Sequence, residues 1–487
     1  MKKTDSIIVV GGGTAGCISA LILKSTFAQK NITIIESSNV GIVGVGESST
    51  EHWSSFCDYV GINKLDSILH CNATFKSGVY FENWSKNSFV HSVVSPYDKK
   101  YFNYYGIYAY LISQIKDSKH SLCDTNSIFK DYSIYDFEDL NVSPTNQYHF
   151  DTFALNKFLH KKCIEKGIKV IVDDLVGVNL NSETGDLENV YSKKSEYNAD
   201  FFIDCSGFSK LLLNLVYDIP WISYSEYLPV NSAISFSTDE MEEYNSFTKS
   251  TARSSGWSWT IPTQNRTGNG YVYCDKFIDK DSAIREMEDA YGQKLNISKE
   301  FKFDPGRLKK AWYKNCYAVG LSQSFVEPLE ATSIGSIIQQ MFCFVHFLPS
   351  YDYDSCNDHV NQIFDNIVDY IQAHYLVKRE DTSFWKEIKY NLKITPSLQS
   401  YLEKWKNRMP LSSDINCSWG MFNSVNYIQI LHGLDWFDIG KISNEYSQYK
   451  LHLEDDIINK LKSIYSPSIK FGHKKFIKNI LIEGYSQ

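Results

Sequence analysis

A few residues in this chain have types and spacings that could do chemistry. Gly11-Gly12-Gly13-Thr14-Ala15-Gly16 is a G-x-G-x-x-G run. In such a run Gly11 makes the turn, Gly13 lets the backbone approach a pyrophosphate, and Gly16 lets a helix pack closely on a sheet. Glu36 follows about 20 residues after the last glycine, where a carboxylate would accept a ribose hydroxyl. Gly256-Trp257-Ser258-Trp259-Thr260-Ile261-Pro262 sets two indoles two positions apart, a stiff apolar wall that packs either against core or against a planar ligand. Thr332 and Ser333 lie where a helix would start just after Glu330, and free backbone N–H groups at a helix start make an anion site. Lys76 is an isolated lysine in a strand-like stretch, where such a residue is ordinarily solvated surface.

The elements that must hold these residues can be read from periodicity. Ser6–Val10 is a continuous apolar run of buried parallel-strand type, feeding the glycines and then a helix through Ile18 to Leu23. A second apolar strand over 32–35 ends at Glu36, and a later one over 199–207 ends in Asp204 and Gly207. Strand, glycines, helix, strand and terminal Glu together point to a dinucleotide. Alternation over 256–262 gives a strand with Trp257, Trp259 and Ile261 on one face and Pro262 ending the ladder. The stretch 74–84 reads as a single strand, with Phe75, Val79 and Phe81 on one side and Lys76 and Tyr80 on the other. Residues 315–322 form a strand that runs into a loop and a helix through Ile337, Ile338, Met341 and Phe344. His149, before an amphipathic helix and the strand Lys169–Val172, reads as structural.

Composition limits the classes of function. The 487 residues, 43% hydrophobic and 22% charged, describe an ordinary globule with core enough for two or three domains or one large domain with a lobe. Net charge is −8 with scattered Lys and Arg, so no basic patch asks for nucleic acid or anionic lipid. No apolar run nears a membrane span, and Met1-Lys2-Lys3 leads straight into a strand pattern, so a cytoplasmic location is expected. Eleven cysteines without a C-x-x-C pair suit reduced thiols better than disulfides or zinc, and no metal site is expected.

Five segments in order resemble the flavin-dependent halogenases of the tryptophan-halogenase type. They are the glycine motif, the loop Val43-Gly44-Val45-Gly46-Glu47-Ser48-Ser49-Thr50, the Phe75-Lys76 segment before Asn83-Trp84, the Trp-x-Trp-x-Ile-Pro strand, and Phe325-Val326-Glu327-Pro328-Leu329-Glu330-Ala331-Thr332-Ser333. The resemblance covers most of residues 5 to 345. It implies an α/β (α+β) flavoprotein: a Rossmann-like FAD-binding module over 1–345, including a substrate-side excursion at 85–148, and a mostly helical substrate lobe over 346–487. It implies FAD contacts at Gly11, Gly13, Thr14, Ala15, Gly16, Glu36, Gly46, Glu47, Ser48, Asp204, Gly207, Leu321 and Ile334. Lys76 matches the catalytic lysine and Glu330 the catalytic glutamate. The halide would lie at Thr332 and Ser333, and Trp257, Trp259, Ile261 and Pro262 would form the wall between flavin and substrate.

The implied chemistry is that FADH2, supplied by a separate NAD(P)H-dependent flavin reductase, reacts with O2 and halide to give hypohalous acid. Lys76 then holds the oxidant or forms a haloamine, and the acceptor is a small indole or phenol. Glu330 would orient the electrophile or accept the ring proton. The commonest form of the loop, Pro-Leu-Glu-Ser-Thr-Gly, differs here at Ala331 and Ser333. That departure gives the expectation of bromide or iodide before chloride, on a substrate other than free tryptophan. An aromatic hydroxylase of the same fold would have no reason to pair Lys76 with the wall. A non-catalytic flavin-binding relative would be free to lose Lys76 or Glu330, and a nicotinamide dehydrogenase suits the second small-residue loop less well.

Overall fold

The computed structural model describes residues 4–41, 47–92, 147–448 and 472–483. A six-stranded sheet runs in the order Trp312–Tyr313, Cys316–Ala318, Phe201–Asp204, Ser6–Val10, Asn31–Glu36 and Lys169–Val172, parallel except at its first pair. Both faces are covered, as a parallel sheet requires. Ile7 and Val9 enter the main core while Ile8 and Val10 enter a second one beneath. Register sets Val10 beside both Asp204 and Ile35, so three strands end together at the edge where the glycine run opens.

A seven-stranded sheet stands beside it, ordered Ile297–Lys302, Ser232–Thr238, Thr267–Tyr273, Gly256–Pro262, Phe247–Arg253, Gly78–Glu82 and Phe89–Ser92. Gly256–Pro262 is a strand that ends at Pro262, and Trp257 and Trp259 share a face with ring centroids 6.2 Å apart. Gly270 leaves room for this, since a Cβ there would meet the Trp259 ring at 2.0 Å.

The stretch 74–84 is not the single strand that its pattern suggests. It breaks at Ser77, whose N–H donates to the Ser246 carbonyl, into Thr74–Lys76 and Gly78–Glu82. The first belongs to a three-stranded sheet with Glu47–Ser48 and Gln147–Phe150, the second to the seven-stranded sheet. The backbone at Gly78 lies so close to the neighbouring strand that a Cβ would meet the His91 carbonyl at 2.6 Å. Changing sheets at this point buries Lys76 completely instead of leaving it on a solvated face.

After Phe347 all regular elements among the described residues are helical. The boundary expected at 345/346 falls inside the helix Thr332–Phe347, which packs on Thr14–Thr26 as well as on Tyr353–Ala373. One apolar core runs through all of these, from Ile7 to Ile480. Of the 85–148 excursion, residues 93–146 lie outside the described ones, while its first strand, Phe89–Ser92, is built into the seven-stranded sheet. The ten described cysteines are free, nine of them buried. Among the described residues no helix is long and apolar enough to cross a membrane.

Candidate active site

A cavity of about 480 Å³ opens at the ends of the parallel strands, lined by Gly11, Gly12, Gly13, Thr14, Ala15, Glu36, Glu47, Gly207, Leu321, Ser333 and Ile334 among others. Gly11 has φ +112°, and a Cβ there would meet the Cys205 carbonyl at 2.2 Å. Around Gly13 nothing lies within 4 Å of a would-be Cβ, so the backbone is open to the cavity. The helix Thr14–Thr26 begins there without a side-chain cap or an acidic first turn, leaving N–H groups for an anion. Gly16 lies behind the cavity, packed so tightly that a Cβ would meet the Gly11 carbonyl at 1.9 Å. Glu36 rests against Gly12 at the end of its strand, with His160 Nε2 3.2 Å from its Oε2. His160, on the helix Thr152–Glu165, is a neighbour that sequence reasoning missed.

The cradle has the features that FAD needs. Glu47 adds one more: its Oε2 is sealed from solvent with no hydrogen-bond partner, and burial pushes the carboxyl up to about 7. An orphaned buried carboxyl facing a cavity suits a ligand that carries hydrogen-bonding groups. Gly16, Ser48 and Asp204, expected as cofactor contacts, are not among the residues that line the cavity. Gly46 lies outside the described residues. Ser48 is buried, its hydroxyl 3.5 Å from that of Thr248. Asp204 stands behind the wall: its carboxylate accepts from Ser206 N–H and Oγ and from the N–H groups of Leu212 and Leu213, holding the turn that follows its strand.

A second helix start meets the same cavity. Thr332–Phe347 has Ala331 as its N-cap at φ +56°, with no side-chain cap. Ser333 is exposed to the cavity while Thr332 is buried. Across the three-stranded sheet from Glu47 sits Lys76, whose Nζ donates to the Ser49 carbonyl at 3.0 Å. Burial lowers its pKa to about 8, against the opposing pull of Glu330 and Glu51. The strand Gln147–Phe150 lies between that of Lys76 and that of Glu47, which lines the cavity.

Glu330 is equally buried and doubly held. Its Oε2 lies 2.9 Å from His91 Nδ1 and its Oε1 2.8 Å from His374 Nε2. Burial by itself would raise the carboxyl, but the two histidines outweigh it and hold the pKa at about 2. Neither histidine belongs to a sequence motif. His91 is contributed by the start of the excursion and His374 by the end of Tyr353–Ala373. Three residues earlier, Glu327 anchors the wall: its Oε2 accepts from Trp257 Nε1 and from the Tyr375 hydroxyl, each at 2.6 Å. Its Oε1 is buried without a partner, and burial lifts this carboxyl to about 7. The two glutamates of one loop are thus pushed apart by their surroundings, an arrangement typical of sites that use carboxyls for different ends. Trp257→Phe removes one donor from a buried carboxyl and is expected to lower unfolding free energy by roughly 2 kcal/mol. Chemical denaturation measures this, and a loss below about 0.5 kcal/mol would show that the bond carries little weight.

The family model for tryptophan halogenases matches residues 6–439. Tryptophan 7-halogenase RebH of Lentzea aerocolonigenes is 31% identical over 482 residues, 89% of this chain and 90% of RebH. BrvH, a flavin-dependent halogenase from Brevundimonas sp. BAL3, superposes with a TM-score of 0.83 at 25% identity, covering 98% of this chain and 100% of BrvH. A tryptophan halogenase structure from Shewanella frigidimarina NCIMB 400 shares the fold with a TM-score of 0.86 over 99% of each chain, at 24% identity.

Proposed function

The chain belongs to the tryptophan halogenase family, and from that premise we propose that it halogenates an electron-rich aromatic small molecule, an indole or a phenol, with Lys76 delivering the oxidant. The observation that carries this reading is a lysine sealed in the interior, one strand away from the cavity and under the influence of Glu330. A buried amine is costly to keep, and such groups concentrate where chemistry needs them.

Reduced FAD, when bound, supplies with dioxygen and halide the chemistry that makes hypohalous acid. The backbone N–H groups after Gly13 would hold the pyrophosphate, and Glu36 would accept a ribose hydroxyl. The first N–H groups of Thr332–Phe347, at Thr332 and Ser333, hold halide. Trp257 and Trp259, with Ile261 and Pro262, keep cofactor and arene apart and exclude water. Lys76 holds the oxidant by hydrogen bond or takes the halogen on its amine. Glu330 keeps the electrophile oriented. No second nicotinamide-type fold is apparent in the sequence, so a separate NAD(P)H-dependent reductase supplies the reduced flavin. Purified protein with such a reductase, NADH, oxygen, three halides and a panel of indoles and phenols should give a halide-dependent product mass. Hydroxylated product in its place would overturn the reading.

Halide choice has its own test. The cap residue Ala331 offers no hydroxyl, and Ser333 adds a side chain where the family's commonest loop has none. Larger halides hold water less tightly and are oxidised more easily. Bromide or iodide is therefore expected to outcompete chloride at equal concentrations, with every product counted and free hypohalite scavenged. Chloride incorporated as readily as bromide would sink the idea. Ala331→Ser with Ser333→Gly should move the ratio toward chloride.

A further inference from the structure

Four described histidines are sealed from solvent, His91, His149, His374 and His473, yet their partners differ. His473 Nδ1 faces the Tyr244 carbonyl at 3.2 Å, while its Nε2 receives the Phe75 N–H at 3.2 Å. One acceptor and one donor suit a neutral ring, and burial holds its pKa at about 3. His149 faces the hydroxyls of Thr74 and Thr248 at 3.1 and 3.0 Å, which serve a ring in either role. Burial, with Lys76 and His473 nearby, holds it well below the ordinary histidine range.

His374 is different. Its Nδ1 lies 2.8 Å from the Tyr370 carbonyl and its Nε2 2.8 Å from Glu330 Oε1. A carbonyl only accepts, so Nδ1 carries a proton; a further proton must then lie between Nε2 and Glu330 Oε1, and imidazole, the stronger base of the two, holds it. We infer that His374 is an imidazolium, a positioning residue whose buried charge keeps Glu330 ionised and fixed opposite Lys76. This rests on the roles proposed above for Glu330 and Lys76.

The surroundings agree with that assignment. His91 donates from Nδ1 to Glu330 and takes the Asn426 amide N–H on Nε2 at 3.0 Å, the pattern of a neutral ring. The Tyr370 hydroxyl lies 3.3 Å from His91 Nδ1, with Tyr427 beyond it. Phe81 and Trp84 cover the His374 ring, with centroids at 5.1 and 6.4 Å. Lys76 and Glu51 complete the charges. Within the buried set the positive His374 offsets the negative Glu330, and Lys76 is offset in part by Glu51, which is exposed. A carboxylate whose two oxygens already accept N–H bonds, one from a cation, is a poor proton acceptor. Glu330 therefore acts by charge and orientation.

The test needs no turnover for its first arm. In ¹⁵N-histidine-labelled full-length protein, His149 and His473 serve as neutral references. One further buried histidine should show both ring nitrogens protonated through the neutral range, and the signal should vanish in His374→Asn. A neutral His374 overturns the inference and leaves the halogenase reading standing. The second arm is the pH profile of halogenation. In His374→Asn the carboxyl loses its counter-charge and binds a proton more readily, so rate should fall about tenfold or more on the acid side relative to the alkaline side. A uniform loss at every pH, with a lowered Tm, would mark His374 as merely structural and overturn its positioning role. Absence of any halogenated product from the unaltered protein would sink the proposed function instead, while the ring signals would still decide the charge of His374.

Discussion

Lys76→Ala should abolish halogenation while the protein still folds, binds flavin and forms oxidant. The side chain is fully buried on Thr74–Lys76, its Nζ donates to the Ser49 carbonyl, and it lies within the electrostatic reach of Glu330 and Glu51. Removing it deletes a cation without touching the cavity lining, so flavin affinity should hold. Product should be measured with a flavin reductase and catalase present, so that free peroxide contributes nothing. More than a small fraction of wild-type product would end the lysine's role. The pH profile adds a sign. Burial sets the amine near 8, so the ammonium predominates below that value and the free amine above it. With Nζ already donating to a carbonyl and two carboxylates in electrostatic reach, the working form should be the ammonium that donates to the oxidant. Rate per oxidant formed is then expected to fall as pH rises through about 8. A rise across the same window would favour a haloamine.

How far the sequence could be read depended on the range of the interactions. The glycine run, the strand to Glu36 and the helix Thr332–Phe347 were legible because each is local: a few residues fix turn, strand or helix start. The two indoles were legible as a shared face because alternation is a property of one strand. The stretch 74–84 misled, since nothing in its alternation reveals that Gly78 must approach a neighbouring strand and so divert the chain into a second sheet. For the same reason Lys76 could be picked out by family resemblance but not by pattern, which reads it as surface. Asp204 has the position of a nucleotide contact, yet its oxygens are taken by the backbone of the next turn, a local demand that outranks the ligand. His91 and His374 were illegible, for they reach Glu330 across 239 and 44 residues of sequence. Glu327 lay in plain view within a motif. Its separate task shows only once Trp257 and Tyr375 are seen to converge on it.

Glu330→Gln should slow halogenation by on the order of 10²-fold or more, the usual scale for a positioned acid, base or charged group. The substitution preserves shape and removes the charge, but it also turns one oxygen into an amide that must donate. Both faces of Glu330 are lined by histidine N–H groups, so the new NH2 would meet a donor at His91 or at His374. Some loss of stability is therefore expected, roughly 1–3 kcal/mol for a buried polar group left without its partner. Acid sensitivity changes with it. The two histidines hold the Glu330 carboxyl at about 2 in the fold, against about 4.3 in an unfolded chain, so its stabilisation is complete above the second value and lost as pH falls toward the first. The Gln variant should lack that part of the acid transition. Comparing Tm with single-turnover rate separates the two roles. If activity per folded molecule stays near wild type while Tm drops, Glu330 is a structural anchor for its histidines. If the rate collapses at a temperature where the variant is fully folded, the carboxylate acts on the oxidant beside Lys76, and Glu330→Asp, which keeps the charge but draws it back by one methylene, should recover part of the loss.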